Sequence, residues 1–227
     1  MRLDTVTLAI LNHLLDKEDS NDFKFSPAEL RKCENILHAM DYTITQFFEK
    51  TVFTDAEQGK IVYSLLKLGV NSSSLLDRLD WRGFEHIIST IFGENQYSVL
   101  TNFRFKNEFT KYEIDLLAFK FPYLFAIDCK RHSTGISSFL RKSAEKQKER
   151  VEILVEQFPI ISEELISKLT LPIKRKLLIY PMIVSWRTYD LQFYSEIPIV
   201  SYSHLSGFLH EIDEHRDSMF NLSLMVD

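Results

Sequence analysis

The sequence is poor in the residues that mark several specialised classes of protein. Its two cysteines, Cys33 and Cys129, are too few and too far apart for a disulfide framework or a cysteine-based zinc site, which indicates a reducing, cytoplasmic setting. Only six glycines and six prolines occur among 227 residues, which argues against linkers or low-complexity segments. No segment approaches the roughly 18 uninterrupted apolar residues that a membrane helix needs, so we expect no membrane association.

An excess of positive charge is also lacking, because the formal net charge is −5. The chain as a whole is therefore not a basic nucleic-acid-binding protein. A mildly acidic protein can still bind a polyanion where its positive charge is clustered, since the field near a surface depends on the local distribution of charge. Hydrophobic residues make up 45% of the chain and include 18 Phe, which is enough to build a substantial core.

The first 75 residues have the pattern of helices. Residues 4–17 place apolar side chains on one helical face, and Ser26 can cap a second helix that has Pro27 at its first position. Residues 41–54 are rich in β-branched and aromatic residues and fit either a β-hairpin or a further helix. With a hairpin this region would be a winged-helix DNA-binding module; the alternative is a helical cap. The polar run 70–74 indicates a hinge, so we expect domains over 1–75 and 76–227.

The pattern changes after the hinge to alternating helices and strands. We expect an α/β domain with a mixed central sheet flanked by helices, because the late strands are nearly all apolar and suit a sheet covered on both faces. Trp81, Phe84 and Trp186 are expected in its core. The predicted order is α-β-β-β-α-β-β-α, over residues 81–91, 97–105, 112–119, 123–129, 137–158, 177–186, 197–202 and 203–212.

Two acidic residues and a lysine stand out within the predicted strands. Asp128 and Lys130 end the apolar strand A-I-D-C-K, and a side-chain period of two places them on one face of the sheet. Asp115 lies in the neighbouring apolar strand E-I-D-L-L-A. Charges inside such strands are costly unless they are paired or bind a metal.

A divalent cation would explain why Asp115 and Asp128 are placed in adjacent strands. Two carboxylates about 4 Å apart repel by roughly 4 kcal/mol at an effective dielectric constant near 20. Mg²⁺ or Mn²⁺ converts this repulsion into ligation, and Mg²⁺ is commonly held by one or two carboxylates plus a substrate phosphate. Lys130 beside the metal can orient the attacking water or stabilise the developing negative charge.

Together with the upstream segment W-R-G-F-E-H at residues 81–86, these strands resemble the PD-(D/E)xK nuclease superfamily, in particular its archaeal Holliday-junction resolvases and Mrr-type restriction endonucleases. The resemblance covers roughly residues 81–213. It implies a restriction-endonuclease-like core of order α-β-β-β-α-β and a metal-dependent endonuclease that hydrolyses DNA, structure-specific or of restriction type. The positions that match the motif are Glu85, Asp115, Asp128 and Lys130, with the three acids as metal ligands.

Two details of the resemblance concern single residues. Related nucleases often add a Gln or Lys from the helix after the third strand, which makes Gln147 a further candidate for the active site. The third-strand acid is Asp128 where Glu is common in the family. Asp is also tolerated there, but its reach toward a metal is shorter by one methylene.

A local excess of positive charge supports DNA, duplex or branched, as the partner. Residues 130–150 contain seven basic side chains and two acidic ones, in a chain that is acidic overall. Such a patch contacts phosphates without selecting sequence. The alternative is an ordinary solvated helix. Cutting both strands of a duplex needs two active sites, so we expect a homodimer.

Other interpretations of the same residues remain open. Asp115 and Asp128 could be a structural pair neutralised by Lys130, and Glu85 could be an ordinary exposed helix residue. Glu113 shares a strand face with Asp115 and could be the ligand in its place, although it is expected near solvent. The whole chain could be a non-catalytic nucleic-acid-binding protein that retains the nuclease fold, or an interaction subunit that binds partners through its helical N-terminus.

Overall fold

A computed structural model of the chain describes residues 4–16, 24–70, 75, 79–131, 137–189 and 192–226. The predicted hinge residues 71–74 lie outside this set. Contacts divide the chain into two compact units, Met1–Thr90 and Ile91–Asp227. Within the residues described, no helix is both long enough and apolar enough to cross a membrane.

The regular elements described in the first unit are all helices. Ser26, Thr43 and Thr54 each begin a helix with a capping box, in which the side chain accepts a bond from the third helical N–H while that third residue bonds back. The hairpin alternative for residues 41–54 is therefore wrong, because a capped helix forms there. The helices are α1 (Thr5–Leu11) with a π-helical turn at Asn12–Asp16, α2 (Pro27–His38), α3 (Ile44–Glu49), α4 (Asp55–Lys67) and α5 (Trp81–Glu94), of which the residues up to Thr90 belong to this unit.

Close packing joins α4 to the first half of α5. A Cβ atom placed on Gly59 of α4 would lie 2.7 Å from the Cβ of His86 and 2.9 Å from the His86 carbonyl carbon and oxygen. Only glycine allows the backbones to approach this closely without a shift. The His86 ring also contacts Asp55 of α4, at 3.5 Å between Nε2 and Oδ2.

The second unit is built on a mixed sheet of seven strands, with helices beside it, as the sequence predicted at this level. The strands are β1 (Ser98–Lys106), β2 (Lys111–Lys120), β3 (Tyr123–Lys130), β4 (Arg175–Ser185), β5 (Phe193–Tyr194), β6 (Ile197–Ser201) and β7 (Leu222–Val226). Strands β1, β2 and β3 form an antiparallel meander, and β3 and β4 are parallel across a helical crossover. The order across the sheet is β1-β2-β3-β4-β6-β5.

One edge of β4 is shared by two strands. Residues Ile183, Val184 and Ser185 pair in parallel with β6, whereas residues 175–179 pair antiparallel with β7. The opposite edge of β4 pairs with β3 along residues 178–185. β7 and the two-residue β5 were absent from the predicted order of elements.

The long helix α6 (Ser137–Leu169) packs on one face of this sheet. It continues through Pro159 for eleven residues beyond the predicted end at Phe158. Leu165 and Leu169 lie in the same buried cluster as Val151 and Leu154, so packing of this apolar stripe accounts for the extra turns. Two short helices, α7 (Tyr202–His210) and α8 (Ile212–His215), follow β6.

Candidate active site

Asp115 and Asp128 lie where strands β2 and β3 stop pairing. The last residues in register are Leu116 and Ile127, so the two aspartates follow directly on opposite strands. Residues opposite each other in an antiparallel pair point to the same face, with Cβ atoms roughly 4.5–5.5 Å apart. Beyond the last register pair, a side chain and not the backbone links the two strands: the Asp115 Oδ2 accepts a 2.7 Å hydrogen bond from the Cys129 N–H.

The pKa of Asp115 reflects a position that is partly buried and close to other charged groups. Burial is the main reason that its pKa is raised from 3.8 to about 6, and the negative charge of Asp128 adds to the rise. The Cys129 hydrogen bond and the positive charges of Lys130 and Arg150 lower the pKa and offset part of the effect. Asp115 therefore carries a carboxylate whose charge is costly until a cation compensates for it.

Asp128 is almost fully buried, at 3% exposure, and is held by two cations. The Lys130 Nζ lies 2.5 Å from its Oδ2, and the Arg150 Nη1 lies 2.9 Å from its Oδ1. The lysine contact is a close ion pair without hydrogen-bond geometry, since Oδ2 has no hydrogen-bond partner among the described residues. Asp128 and Lys130 thus share a face of β3, as their spacing predicted.

Helix α6 contributes Gln147 and Arg150 to this cluster. Arg150 donates from the same Nη1 atom to the Gln147 Oε1, at 2.9 Å, and to Asp128. Gln147 is fully buried, and its Nε2 has no hydrogen-bond partner in the part of the chain that the structure describes. A buried donor of this kind costs free energy unless a further group accepts from it.

Arg150 was missed as a site residue because a basic residue on an amphipathic helix is usually solvated. Its spacing of three residues from Gln147 puts both on one helical face, which is the only sequence signal that would have linked it to the site.

Glu85 lies on α5 in the first unit and is 4% exposed, so the alternative that it is an ordinary exposed helix residue is wrong. Glu113 on β2 is a surface residue, as expected, and its carboxylate contacts the Arg104 Nε at 3.0 Å. Trp81 is 51% exposed, which contradicts the prediction that it is in the core. It occupies the first position of α5, where its ring lies 5.1 Å from the Arg82 guanidinium.

The basic patch divides into side chains with internal contacts and side chains free to meet a ligand. The Arg141 guanidinium lies 5.7 Å from the Tyr194 ring, and the Lys148 Nζ lies 4.1 Å from the Phe220 ring. Lys142 and Lys146 are exposed and form no ion pair with any residue that the structure describes. Two lysines one turn apart on α6 are therefore the best placed to contact phosphates.

The donor set fits a hard divalent cation with few protein ligands. No group of three or more His, Cys, Asp or Glu side chains that could hold a metal occurs in the described ranges. The two aspartates suffice for Mg²⁺ or Mn²⁺, which keep several waters. The Asp115 oxygen that does not bond Cys129 accepts no hydrogen bond within the described part of the chain, so it is available as a ligand.

Comparisons with known proteins add little to this geometry. No protein-family model matches the chain, and no curated protein matches it either. A crystal structure of protein VC1899 from Vibrio cholerae is similar at 11% sequence identity, with a TM-score of 0.33, over 96% of this chain and 58% of that one. The chain thus spans less than two thirds of that protein, and a likeness at this level carries no argument.

Proposed function

We propose that the chain is a Mg²⁺- or Mn²⁺-dependent nuclease that hydrolyses phosphodiester bonds in DNA, on a restriction-endonuclease-like core. The observation that carries the proposal is the placement of Asp115 opposite Asp128, with Lys130 on the same strand face. Asp128 is almost fully buried and Asp115 is partly buried beside it, and two carboxylates placed together at a strand end favour a role in binding a cation.

Each residue of the cluster has a role in this proposal. Asp115 and Asp128 would hold the metal, which when bound lowers the pKa of a water and neutralises phosphate charge. Lys130 would move from Asp128 toward the phosphate and stabilise the negative charge that develops there. The Gln147 Nε2, which has no hydrogen-bond partner among the described residues, would donate to a water oxygen.

The test is cleavage of linear duplex, branched and single-stranded DNA in Mn²⁺. We expect Asp128→Asn and Lys130→Met each to lower the rate by about 100-fold or more, the size of effect seen when a group that stabilises transition-state charge is removed. Lys168→Met is the matched control, because Lys168 is exposed and, among the described residues, its ion pair is with Glu164 on α6. Absence of cleavage by the wild type on every substrate, or equal rates in all variants, would contradict the proposal.

Two further parts of the proposal concern assembly and location. Cleavage of both strands of a duplex at one locus requires two active sites, so we propose a homodimer with two-fold symmetry, which light scattering tests. Cys33 and Cys129 are both free thiols, consistent with the cytoplasmic location that we propose.

A second candidate function is nucleic-acid binding without catalysis. It is favoured by the contacts of Asp128, whose two oxygens each lie against a cation of the chain. In that case Asp128, Lys130 and Arg150 form a structural ion-pair network. Calorimetric titration with Mn²⁺ separates the two functions, since a pure binder retains DNA affinity but need not bind metal.

A further inference from the structure

We infer that Arg150 competes with the divalent cation for Asp128, and that a phosphate of the nucleic acid draws Arg150 away so that metal binds tightly with substrate. The inference rests on the proposed function, since it concerns the same metal site. It assigns Arg150 as a positioning residue that couples metal binding to substrate binding.

The Arg150 guanidinium already occupies an oxygen of Asp128 that a metal would use. The Arg150 Nη1 contacts the Asp128 Oδ1 at 2.9 Å, and the other oxygen of Asp128 is occupied by Lys130. A cation that ligates Asp128 through Oδ1 must displace the guanidinium. A cation that binds beside it is repelled by two positive charges within a poorly solvated cluster.

Arg150 does not bind Asp128 in the geometry that is strongest for a guanidinium and a carboxylate. A guanidinium binds a carboxylate best through two parallel N–H bonds. Here a single Nη1 serves both Asp128 and Gln147, and the other guanidinium nitrogens form no hydrogen bond with any described residue. The remaining donors are therefore available to a bidentate acceptor such as a phosphate.

Open space lies beside the Arg150 side chain, into which the guanidinium can move. Its side chain is 28% exposed and lines a cavity of about 390 Å³ between α6 and the start of β2. Lys111 and Lys146 line the same cavity and would attract a phosphate, while Glu149 offers an alternative partner for the guanidinium; Glu113 on the same lining already contacts Arg104. A phosphate in this cavity meets three cationic side chains, one of which is the residue that blocks Asp128.

The experiment measures Mn²⁺ affinity by calorimetry without nucleic acid. Arg150→Met keeps the aliphatic stem and removes the charge, and we expect it to bind Mn²⁺ about 10-fold more tightly than the wild type. Arg141→Met is the matched control on the same helix; its guanidinium lies over Tyr194, and we expect its metal affinity to stay within about twofold because screening weakens distant charges.

A second readout separates this role from a structural one. Binding of a short DNA duplex in EDTA should show a salt dependence whose slope falls by about 0.9 in Arg150→Met, since one phosphate contact is lost. Arg150→Lys keeps the positive charge but not the planar guanidinium, and it should give an intermediate Mn²⁺ affinity. This variant provides the test if Arg150→Met does not fold.

The outcomes distinguish this inference from the proposed function. If the wild type binds Mn²⁺ and folded Arg150→Met binds it equally or more weakly, the competition is refuted and the nuclease proposal stands. If neither protein binds Mn²⁺ at millimolar concentration, both proposals fail together. Tighter metal binding together with an unchanged salt slope would show that Arg150 blocks the metal but does not move to a phosphate.

Discussion

Replacement of Asp115 by asparagine should stabilise the metal-free protein at alkaline pH while abolishing its response to metal. The pKa of Asp115 lies near 6, above its ordinary value of 3.8, because the carboxylate is partly buried and faces Asp128. Ionisation of Asp115 therefore costs folding free energy, and the cost grows as the pH rises from about 4 to above 6. Asparagine keeps an oxygen that can accept from the Cys129 N–H and carries no charge.

The magnitude follows from the size of the shift. A pKa raised by about two units corresponds to about 3 kcal/mol at pH 8 and about half of that at pH 5, where the folded carboxyl is largely protonated. Solvent reaches the half-buried side chain, which reduces these values to about 2 and about 1 kcal/mol. A gain of about 2 kcal/mol raises the Tm by about 6 °C in a protein of this length.

Urea and thermal unfolding at pH 5 and pH 8, each with and without Mn²⁺, would measure the effect. Asp217→Asn is the matched control, since that carboxylate is 91% exposed and its removal should change stability by less than about 0.5 kcal/mol. In Mn²⁺ the order should reverse, because only the wild type gains ligand stabilisation. A metal-free Asp115→Asn protein that is less stable than the wild type at pH 8 would refute the reasoning, and would mean that the bond to Cys129 outweighs repulsion.

Two further predictions concern packing and phosphate binding. Gly59→Ala should lower the free energy of unfolding by about 1–3 kcal/mol, because the added methyl group overlaps with the backbone of His86. Gly93→Ala should raise it by about 1 kcal/mol, because a Cβ at that position meets no atom within 4 Å. Thermal unfolding of the two variants tests this, and equal effects would contradict it. Replacement of both Lys142 and Lys146 by methionine should weaken binding to all duplex sequences alike and lower the slope of log affinity against log salt concentration by about 1.8. Fluorescence anisotropy between 50 and 200 mM salt measures this slope, and an unchanged slope would show that these lysines contact no phosphate.

The sequence predicted the parts of the site that depend on strand periodicity. Asp128 and Lys130 share a face because side chains alternate along β3, and this alternation does not depend on the rest of the fold. The register that brings Asp115 opposite Asp128 follows from a short connection between two adjacent antiparallel strands. Both features are local, so they could be inferred without knowledge of the tertiary structure.

The remaining features depend on packing between distant segments. Helix α6 continues past Pro159 because Leu165 and Leu169 bury their side chains against the sheet, and this burial outweighs the local cost of proline. Trp81 is exposed at the first residue of α5, although its spacing of three residues puts it on the same helical side as the buried Phe84, so spacing alone does not show which part of that side is covered. The contact of Arg150 with Asp128 requires the packing of α6 on β3, which no local pattern in the sequence encodes.

The shared edge of β4 has a consequence for the order in which this sheet comes apart. Between the residues that pair with β7 and those that pair with β6 lies Pro181, which has no N–H to donate and has a register partner only on β3 among the described residues. Hydrogen bonding along that edge is thus interrupted at the proline, and the two ladders are not continuous. β7 can therefore fray from β4 while the β4–β6 ladder, which lies on the side of Lys130, keeps its hydrogen bonds.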